Sequence, residues 1–560
     1  MPTGPDMPLR VVFLVGNDSL STVDMIRAIR ELGGVEIAGI IHDTNRQPLG
    51  RRIRNLKRNI GRDGLKYIPF RVLSSILGSL EARERSFVSD ADVMDVAKKA
   101  FPDRPFSLED IRDLYSVPLF TVGDMNAPST ASTLSGLRAD LGIVCGTRIL
   151  KDHIFSLPRM GSINIHKGKV PEYRGMPHGF WELYDKREEA SVTVHRVESG
   201  LDTGDVLSEK TIPIHGNEKL DTLRLKLDEI GILALRDAVQ AILDNRPCGA
   251  AQSGKGIRPN TSPGLKQRRA LADKTGETLD LPGLSVQILK ALWSVVAIKG
   301  NLPGLLRWIR KKTNAHRGVV FLYHRISPCD DNLSTDMFQF IRHMLALKRH
   351  YSPASLEEVV DHIERARRFE RDIFSVTFDD CYASVCEYAV PILNHLGIPG
   401  GIFVSSGFID TGRVFEHDSN HPLSFPNMTS TDIERAADAG HSICAHTVNH
   451  VNLGETRYEE AYEECLECKK ALESITKTSV DIISFPFGGK HHISESSTRA
   501  FQSAGIRANF SAYGGTLNSS ESLYDIKRLG ISGRHSAAGV VLDYEGISLY
   551  AFKRNRAARS

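Results

Sequence analysis

Apolar residues in the first part of the chain form short continuous runs that alternate with stretches of helical spacing. Three runs are typical of buried strands, at residues 9–16 (LRVVFLVG), 35–42 (VEIAGIIH) and 139–145 (ADLGIVC). Residues 22–34 (TVDMIRAIRELGG) have the spacing of an amphipathic helix that ends in a glycine cap. Strand, helix and strand in this order predict a parallel α/β sheet. Residues 190–214 then predict two strands joined by ESGLDTGD, followed by a helix to about residue 244.

A second alternating pattern begins at residue 317. Its predicted strands lie in RGVVFLYHRI (317–326), IFSVTFDD (373–380), GGIFVSS (400–406), SICAHT (442–447), DIISFPFGG (481–489) and YDIKRLGIS (524–532). Helical patterns separate these strands. Repeated strand–helix units of this length predict a barrel-like α/β domain whose chemistry lies at the carboxyl ends of its strands.

The segment between the two patterns differs in composition. Residues 253–283 are polar, basic and rich in Gly and Pro, which is typical of a linker or a loosely packed extension. Residues 285–312 are apolar on one side and basic at the end, and they fit either an interfacial membrane helix or packing against a neighbouring domain. We therefore predict three regions: 8–245, a linker with an amphipathic helical segment at 246–316, and 317–545.

Charge and length narrow the class of protein. A chain of 560 residues exceeds what one hydrophobic core supports, and its net charge of +3 gives no global field that attracts nucleic acid. A basic helical pattern at residues 51–67 indicates either a solvated face or a patch that attracts phosphates or anionic membranes. The start lacks the apolar core of a signal peptide, and apolar runs such as VVAI (295–298) fall far short of the roughly 20 residues that cross a bilayer. We therefore expect a cytoplasmic protein.

Cysteine usage adds little to this picture. Eight cysteines in a chain of this length do not indicate a disulfide scaffold. Cys465 and Cys468 form a C-x-x-C, but they lie in YEEAYEECLECKKALESI, a charged helical pattern with no second pair nearby. Two thiols on an ordinary helix explain this spacing better than a metal or redox site.

The stretch SINIHKGKVPEYRG at residues 162–175 carries the first candidate chemistry. Asn164 and His166 are two residues apart on a predicted strand, so their side chains point to one face, and Asp202 follows in the glycine-flanked turn GLDTGD. Acyl transfer to an amine needs a base, a donor for the tetrahedral oxyanion and a carboxylate that orients the base. His166, Asn164 and Asp202 suit these roles in that order. Singly, each residue also has a structural explanation as a turn former or a core residue.

The surrounding motifs resemble a known enzyme family. INIHKGKVPEYRG, GFWELYD, SVTVHRVESGLDTGDVL and the upstream LGIVCGTRIL are together similar to the formyltransferases, over roughly residues 9–245. This family includes methionyl-tRNA, glycinamide ribonucleotide and sugar N-formyltransferases. The resemblance implies a Rossmann-like fold, N10-formyltetrahydrofolate as the formyl donor, and Asn164, His166 and Asp202 as the catalytic residues.

The same resemblance implies where the folate binds. It places the pteridine against the backbone around Gly146, Arg148 and Ile149. One departure is KGKVP after the histidine, where the family often has Ser-Leu-Leu-Pro. This difference leaves the catalytic set intact and changes the expected shape of the acceptor loop.

The second candidate site combines two carboxylates and two imidazoles. SVTFDDCY ends a predicted strand with Asp379 and Asp380, whose side chains diverge, and HTVNH supplies His446 and His450 four residues apart. The two imidazoles reach one ion if this segment is helical or tightly turned. One carboxylate with two imidazoles makes an open site for Zn²⁺ or a similar divalent ion, and the other carboxylate can act as a base. The structural alternatives are a helix N-cap for the aspartates and a surface helix for the histidines.

TFDD, HTVNH and SFPFGG in this order resemble the polysaccharide deacetylase (NodB homology) family, over about residues 317–535. The resemblance implies a distorted (β/α) barrel and metal-dependent hydrolysis of an N-acyl group on a sugar. It assigns the base to Asp379 and the metal ligands to Asp380, His446 and His450. It also implies a backbone N–H near Phe487 for the oxyanion, and it places His324 near the site.

Three departures from the deacetylase pattern concern the catalytic machinery. Cys381 stands where glycine is usual, the arginine that often precedes the groove motif is absent, and the late Leu-x-x-His that supplies a general acid has no clear counterpart. His535 in GISGRHS is a candidate for the acid, although its context is that of a loop. Protonation of the leaving amine is therefore the part of the mechanism that the sequence defines least.

The two resemblances predict one pathway step after another. A deacylase releases a free amine on a sugar, and a formyltransferase consumes one. We predict an enzyme of cell-surface polysaccharide biosynthesis that N-deacetylates a nucleotide-linked or lipid-linked amino sugar and then formylates the amine. The alternatives are a C-terminal domain that removes formyl groups, one that only binds sugar, and an aminoacyl-tRNA acceptor. The segment after residue 245 lacks the pattern of a basic RNA-binding β-barrel, so no nucleic-acid partner is expected.

Overall fold

The computed structural model describes residues 7–44, 49–65, 67–216, 218–246, 249–252, 258–275, 281–329, 331–517 and 521–547. Parts of the predicted linker, at 247–248, 253–257 and 276–280, lie outside the described residues. The α-helices of the described part are α1 (Leu20–Arg30), α2 (Leu49–Asp63), α3 (Tyr67–Arg85), α4 (Asp90–Ala100), α5 (Leu108–Tyr115), α6 (Pro128–Gly136), α7 (Asp152–Phe155), α8 (Phe180–Tyr184), α9 (Leu220–Leu243), α10 (Leu265–Thr275), α11 (Leu281–Lys299), α12 (Leu302–Thr313), α13 (Met337–His350), α14 (Leu356–Glu364), α15 (Val390–Leu396), α16 (Ser430–Asp438), α17 (Tyr458–Thr476), α18 (Glu495–Ser503) and α19 (Ala537–Tyr544).

The strands of the same described ranges are β1 (Leu9–Val15), β2 (Val35–Asp43), β3 (Leu119–Val122), β4 (Leu141–Cys145), β5 (Ser162–His166), β6 (Glu189–Arg196), β7 (Val206–Pro213), β8 (Gly318–Tyr323), β9 (Arg325–Ile326), β10 (Ser334–Thr335), β11 (Ser352–Pro353), β12 (Ile373–Phe378), β13 (Gly400–Val404), β14 (Ser442–Ala445), β15 (Ile482–Ser484), β16 (Ala508–Phe510) and β17 (Arg528–Gly530). The chain divides into two compact units. One comprises Met1–Val72 and Pro102–Gly283, and the other comprises Leu73–Phe101 and Leu284–Ser560.

The first unit is built on a sheet of seven described strands in the order β3-β2-β1-β4-β5-β6-β7. Strands β1 to β5 pair in parallel, and β6 and β7 continue the sheet antiparallel. Successive side chains of a strand face opposite sides of a sheet. Val11 and Phe13 of β1 accordingly lie in a different core cluster from Val12 and Leu14. The predicted parallel α/β sheet is confirmed, with an antiparallel extension that carries the GLDTGD turn.

Helices cover this sheet on both faces. Helices α1 and α9 supply Ile26 and Leu235 to one cluster, and α6 supplies Leu134 to the other. Helix α10 lies within the predicted linker, yet Leu271 belongs to the same cluster as Ile26. The part of the linker at Leu265–Thr275 is therefore a packed helix of the first unit.

The second unit contains a sheet of eight described strands, all paired in parallel. Its order is β16-β15-β14-β13-β12-β8-β17, with β11 beside β12. A parallel bridge between Phe510 of β16 and Ile526, just before β17, links the two ends of this order. The predicted distorted (β/α) barrel is confirmed as a nearly closed barrel. This unit also includes residues 73–101, which the predicted 8–245 region contains.

No single helix of the described residues is long and apolar enough to cross a membrane. The segments Gly283–Lys299 and Leu302–Thr313 reach the required length and apolar composition only as a pair, and a bend of 52° separates them.

Candidate active sites

The first site lies at the carboxyl end of β5. Asn164 and His166 project from this strand, and Asp202 lies in the turn between β6 and β7 with a left-handed φ of 53°. Nδ1 of His166 lies 3.5 Å from Oδ2 of Asp202. The backbone N–H of Gly175 donates to the same carboxylate over 3.3 Å, which fixes its orientation. The structure therefore brings together the three residues that the sequence proposed.

His195 completes this cluster and was not predicted. The register of the antiparallel pair β5 and β6 places His195 opposite Asn164. Nδ2 of Asn164 lies 3.2 Å from Nε2 of His195, and that nitrogen lies 3.6 Å from Oδ1 of Asp202. Nδ1 of His195 donates to the carbonyl oxygen of Arg196 over 2.8 Å, so Nε2 is the nitrogen that accepts from the amide. The alternation in SVTVHRV, combined with antiparallel pairing, was the signal for His195.

Burial determines the protonation of the catalytic imidazole. His166 is buried, and burial lowers its pKa below the ordinary value against the opposing effect of the Asp202 carboxylate. Its Nε2 donates to the carbonyl oxygen of Tyr173 over 2.8 Å, which leaves Nδ1 unprotonated and facing Asp202. Burial would raise the pKa of Asp202, but the hydrogen bond from His195 and the proximity of His166 hold it below the ordinary value. The pair is thus a neutral base beside an ionised carboxylate.

The loop predicted to contact the folate follows β4. Gly146 has a φ of 64° there, and a side chain at Gly16 would collide with its carbonyl oxygen. Nε of Arg148 pairs with Asp43 over 2.5 Å, and NH1 of Arg148 pairs with Asp124 over 2.9 Å. Ile149 is 73% exposed. Arg148 thus holds the loop in place through side-chain contacts, and the folate contacts of Gly146, Arg148 and Ile149 stay a prediction.

The second site lies at the carboxyl ends of β12 and β14 in the second unit. Oδ1 of Asp380 lies 3.2 Å from Nε2 of His450 and 3.6 Å from Nε2 of His446. The HTVNH segment is a tight turn rather than a helix, since Thr447 and His450 have left-handed φ values of 61° and 58°. Ser484 at the end of β15 binds Nδ1 of His446 through its carbonyl oxygen at 2.8 Å and its hydroxyl at 2.7 Å. This contact orients Nε2 of His446 towards Asp380.

The donor set fits a divalent cation. One oxygen of Asp380 and one nitrogen from each of His446 and His450 all lie within 4.8 Å of one another. Oδ2 of Asp380 is buried and has no hydrogen-bond partner among the described residues. An orphaned buried carboxylate oxygen costs free energy unless a cation or a donor binds it. One carboxylate with two imidazoles is a set that zinc and similar ions use when they keep positions open for water and substrate.

Asp379 has a different environment. NH1 and NH2 of Arg528 bind its two oxygens over 2.5 and 2.7 Å, and the Arg528 side chain is fully buried. Burial would raise the pKa of Asp379, but the Arg528 guanidinium holds it below the ordinary value. The arginine missing before the groove motif is thus replaced by one from YDIKRLGIS, which the sequence analysis did not connect with the site.

Both sets of residues line one cavity of the second unit, with a volume of about 1560 Å³. His324 lines it, as predicted from LYHRI, and so does His535. His417 was not predicted, and its Nε2 lies 3.6 Å from Oδ2 of Asp380 and 2.7 Å from the Tyr382 hydroxyl. The ring of Phe487 lies 4.9 Å from that of His450, at the cavity wall.

A further cluster in the same unit has a structural explanation. Ligating atoms of Cys329, Asp331 and His421 also lie within 4.8 Å of one another. However, Asp331 accepts hydrogen bonds from the backbone of Leu333 and Ser334 and pairs with Arg325 over 2.8 Å. A guanidinium already neutralises this carboxylate, so the cluster needs no cation.

The C-x-x-C cysteines lie on a helix, as the pattern indicated. Cys465 and Cys468 are buried on α17, and burial raises the pKa of both thiols. Buried thiols with raised pKa values behave as small apolar side chains.

Two family models match separate parts of the chain. Residues 86–239 match a family described as formyl transferase, and residues 366–509 match one described as polysaccharide deacetylase. Among curated relatives, the methionyl-tRNA formyltransferase of Rhodopirellula baltica is 27% identical over 223 residues, which are 38% of this chain and 66% of the relative. The protein of the same name from Thermosynechococcus vestitus is 38% identical over 116 residues, 20% of this chain and 35% of the relative. The chain thus spans between about a third and two thirds of the length of these relatives.

Solved structures align with each part as well. Streptococcus pyogenes deacetylase PplD in complex with acetate covers 41% of this chain and 98% of its own, at 19% identity and a TM-score of 0.36. Glycinamide ribonucleotide transformylase 1 from Symbiobacterium toebii covers 45% of this chain and 95% of its own, at 15% identity and a TM-score of 0.30. The family matches identify the chain as a fusion of a formyltransferase domain and a polysaccharide deacetylase domain. Both are domains of enzymes.

Proposed function

We propose that the chain is a bifunctional enzyme that exchanges one N-acyl group for another on an amino sugar. The C-terminal domain hydrolyses the N-acetyl group, and the N-terminal domain transfers a formyl group to the amine so released. The observation that carries this proposal is that each domain holds its acid–base residues together, with His166 beside Asp202 and Asp379 beside Asp380 and its two histidines.

Formyl transfer requires the sugar amine to lose a proton as its nitrogen attacks the formyl carbon. Nδ1 of His166 accepts that proton, and the Asp202 carboxylate 3.5 Å away stabilises the resulting imidazolium. Asn164 uses one amide N–H towards His195, and the other donates to the oxyanion. N10-formyltetrahydrofolate, the donor used by formyltransferases, supplies the one-carbon unit at the loop after β4.

Deacetylation requires water to attack the amide carbon. Asp379 accepts the proton of that water, and Arg528 keeps the carboxylate ionised and fixed in orientation. A divalent cation held by Asp380, His446 and His450 supplies Lewis acidity, which lowers the pKa of a water and polarises the acyl carbonyl. The leaving amine must gain a proton. His324, His417 and His535 are the imidazoles of the same cavity that the ligand set leaves for this role.

The two activities are complementary because the product of one is the substrate of the other. A shared chain raises the local concentration of the free amine at the second active site. We propose that the sugar is linked to a nucleotide or a lipid. An aminoacyl-tRNA acceptor is disfavoured because the described residues between 249 and 313 form helices α10, α11 and α12 and no basic barrel of strands.

The test follows the fate of an N-acetylamino sugar. The full chain is incubated with formyltetrahydrofolate, a divalent metal and nucleotide-linked N-acetyl sugars, and products are identified by mass. His166→Ala should accumulate the free amine, whereas Asp379→Ala should leave the acetyl sugar unchanged. Formylated product from the acetyl sugar in Asp379→Ala would overturn the sequential scheme. A parallel reaction with the N-formyl sugar shows whether the hydrolase prefers formyl to acetyl groups.

A further inference from the structure

Helix α11 is apolar on two opposite sides. One side packs inward, where Ala291 and Val295 join Leu80 of α3 in a small core cluster. The other side carries a stripe at helical spacing that faces solvent: Leu289 is 62% and Val296 is 55% exposed. A helix that is hydrophobic all round normally has a second apolar environment on its outer side.

The stripe continues onto α12. Trp308 is 58% exposed, and Leu305 and Ile309 beside it are also exposed. These three residues share one face because they are three and four apart. We define the outer face as the exposed apolar residues of α11 and α12: Val286, Leu289, Leu292, Trp293, Val296, Leu305, Trp308 and Ile309. Scattered apolar residues are normal on a surface, but a run of this size on two consecutive helices marks an interaction site.

Charge identifies the partner of the outer face. Residues 281–313 contain six Lys and Arg and no Asp or Glu. Arg310 is used inside the unit, where it pairs with Asp372 over 2.7 Å and with Glu545 over 2.6 Å. Lys299, Lys311 and Lys312 are exposed and make no ion pair with a described acid. An apolar face flanked by lysines and free of acids, with tryptophans beside them, has the composition of helices that lie in the headgroup region of anionic membranes.

The alternatives fit the same contacts less well. A two-fold dimer through this face would bring the acid-free basic segment of one copy against the same segment of the other. A membrane-spanning pair would have to leave the barrel. The indole N–H of Trp293 donates to the carbonyl oxygen of Ile547 over 3.0 Å, and Arg310 is held by two buried acids. These contacts keep both helices against the second unit.

We propose that the outer face of α11 and α12 docks the protein onto the surface of a bilayer that contains anionic lipid. The apolar residues enter the headgroup boundary, and Lys299, Lys311 and Lys312 lie at the level of the lipid phosphates. This docking does not depend on the chemistry of either active site. It places the deacetylase unit next to any substrate that a lipid carries.

The test is co-sedimentation of the full chain with vesicles. Vesicles of phosphatidylcholine alone are compared with vesicles that also contain phosphatidylglycerol. The apolar variant is Leu289→Gln with Val296→Gln, the charge variant is Lys311→Glu with Lys312→Glu, and the matched control is Leu233→Gln, an exposed leucine on α9. Thermal unfolding of each variant verifies the fold, and light scattering reports the oligomeric state.

We expect the wild type and Leu233→Gln to bind the anionic vesicles alike. Both double variants should bind at least about tenfold more weakly, because each buried apolar side chain and each lysine near anionic lipid contributes several-fold to binding. The charge variant should lose the preference for phosphatidylglycerol. Wild-type protein that does not sediment with anionic vesicles, or variants that bind as well as wild type, would overturn the proposal. So would a wild-type dimer that only the apolar variant converts to a monomer.

Discussion

Arg528 holds both carboxylate oxygens of Asp379 from the opposite end of the barrel domain's sequence. The two residues are separated by 149 positions, and the guanidinium meets the oxygens at 2.5 and 2.7 Å. Both side chains are buried, so each leaves an uncompensated charge if the other is removed. This pair orients the proposed base and keeps it ionised.

Arg528→Met should destabilise the protein by about 3–5 kcal/mol, because it leaves the Asp379 carboxylate buried without a counter-charge. The double variant Arg528→Met with Asp379→Asn should recover much of this loss in denaturant unfolding. Neither variant should deacetylate at more than about a hundredth of the wild-type rate. If Arg528→Met alone is as stable as the wild type, the pair does not have the role assigned to it.

Removal of the proposed metal ligands should be visible in metal content. Asp380→Ala should purify without a stoichiometric divalent ion. Ser484→Ala should bind the metal about tenfold to a hundredfold more weakly, because Ser484 orients the ring of His446. The measurement is elemental analysis after dialysis against a graded chelator. Cys329→Ser is the control, and a loss of metal in this variant with retention in Asp380→Ala would place the ion in the wrong cluster.

The formyl-transfer rate should depend on pH through His166. A base must be neutral to accept a proton, and burial lowers the pKa of this imidazole below its ordinary value. The acidic limb of the kcat profile should therefore fall below about pH 6.5. Asp202→Asn should move that limb to still lower pH and reduce kcat, because the carboxylate favours the protonated imidazole. A limb above about pH 6.5 in the wild type would contradict this assignment.

The same shift has a consequence for stability. Because the folded-state pKa of His166 is lowered, the unfolded chain binds a proton at this residue first as the pH falls. The contribution of His166 to the free energy of unfolding is thus constant above about pH 6.5 and is lost progressively below it. Denaturant unfolding of the wild type and His166→Gln at several pH values measures this. The difference between the two proteins should change only on the acidic side.

His195 should matter for the rate more than for binding. His195→Ala removes the group that holds the Asn164 amide, so the oxyanion donor loses its orientation. We expect kcat for formyl transfer to fall by about tenfold to a hundredfold, while KM for the folate changes little. Steady-state kinetics with a free amino sugar measure both constants. A raised KM with an unchanged kcat would make His195 a binding residue instead.

The fold classes followed from the sequence because local patterns encode them. Continuous apolar runs such as LRVVFLVG and IFSVTFDD became the buried strands β1 and β12. Strand β16 was missed because its three residues, Ala508–Phe510, are too few to form a pattern. The packing of Leu271 was also missed, since its helix lies in a polar, basic segment whose composition is that of a linker.

The sites were predicted as far as their residues lie in compact motifs. Asn164 with His166 and His446 with His450 are close in sequence, and spacing alone suggested that they act together. Arg528 and His417 reach Asp379 and Asp380 from other strands and loops of the barrel. Only the closing of the sheet brings them together, and a single sequence without a three-dimensional frame carries no signal for such contacts.

The most direct measurement follows the atoms of one substrate molecule. A nucleotide-linked amino sugar that carries ¹⁵N in its amide and ¹³C in its acetyl group is incubated with the full chain, formyltetrahydrofolate and a divalent metal. Mass spectrometry should show a product that keeps ¹⁵N, has lost both acetyl carbons and carries an unlabelled formyl group. His166→Ala should stop at the ¹⁵N amine. Recovery of the intact acetyl sugar with the wild type under every metal and carrier tried, or formylation that persists in Asp379→Ala, would contradict the account.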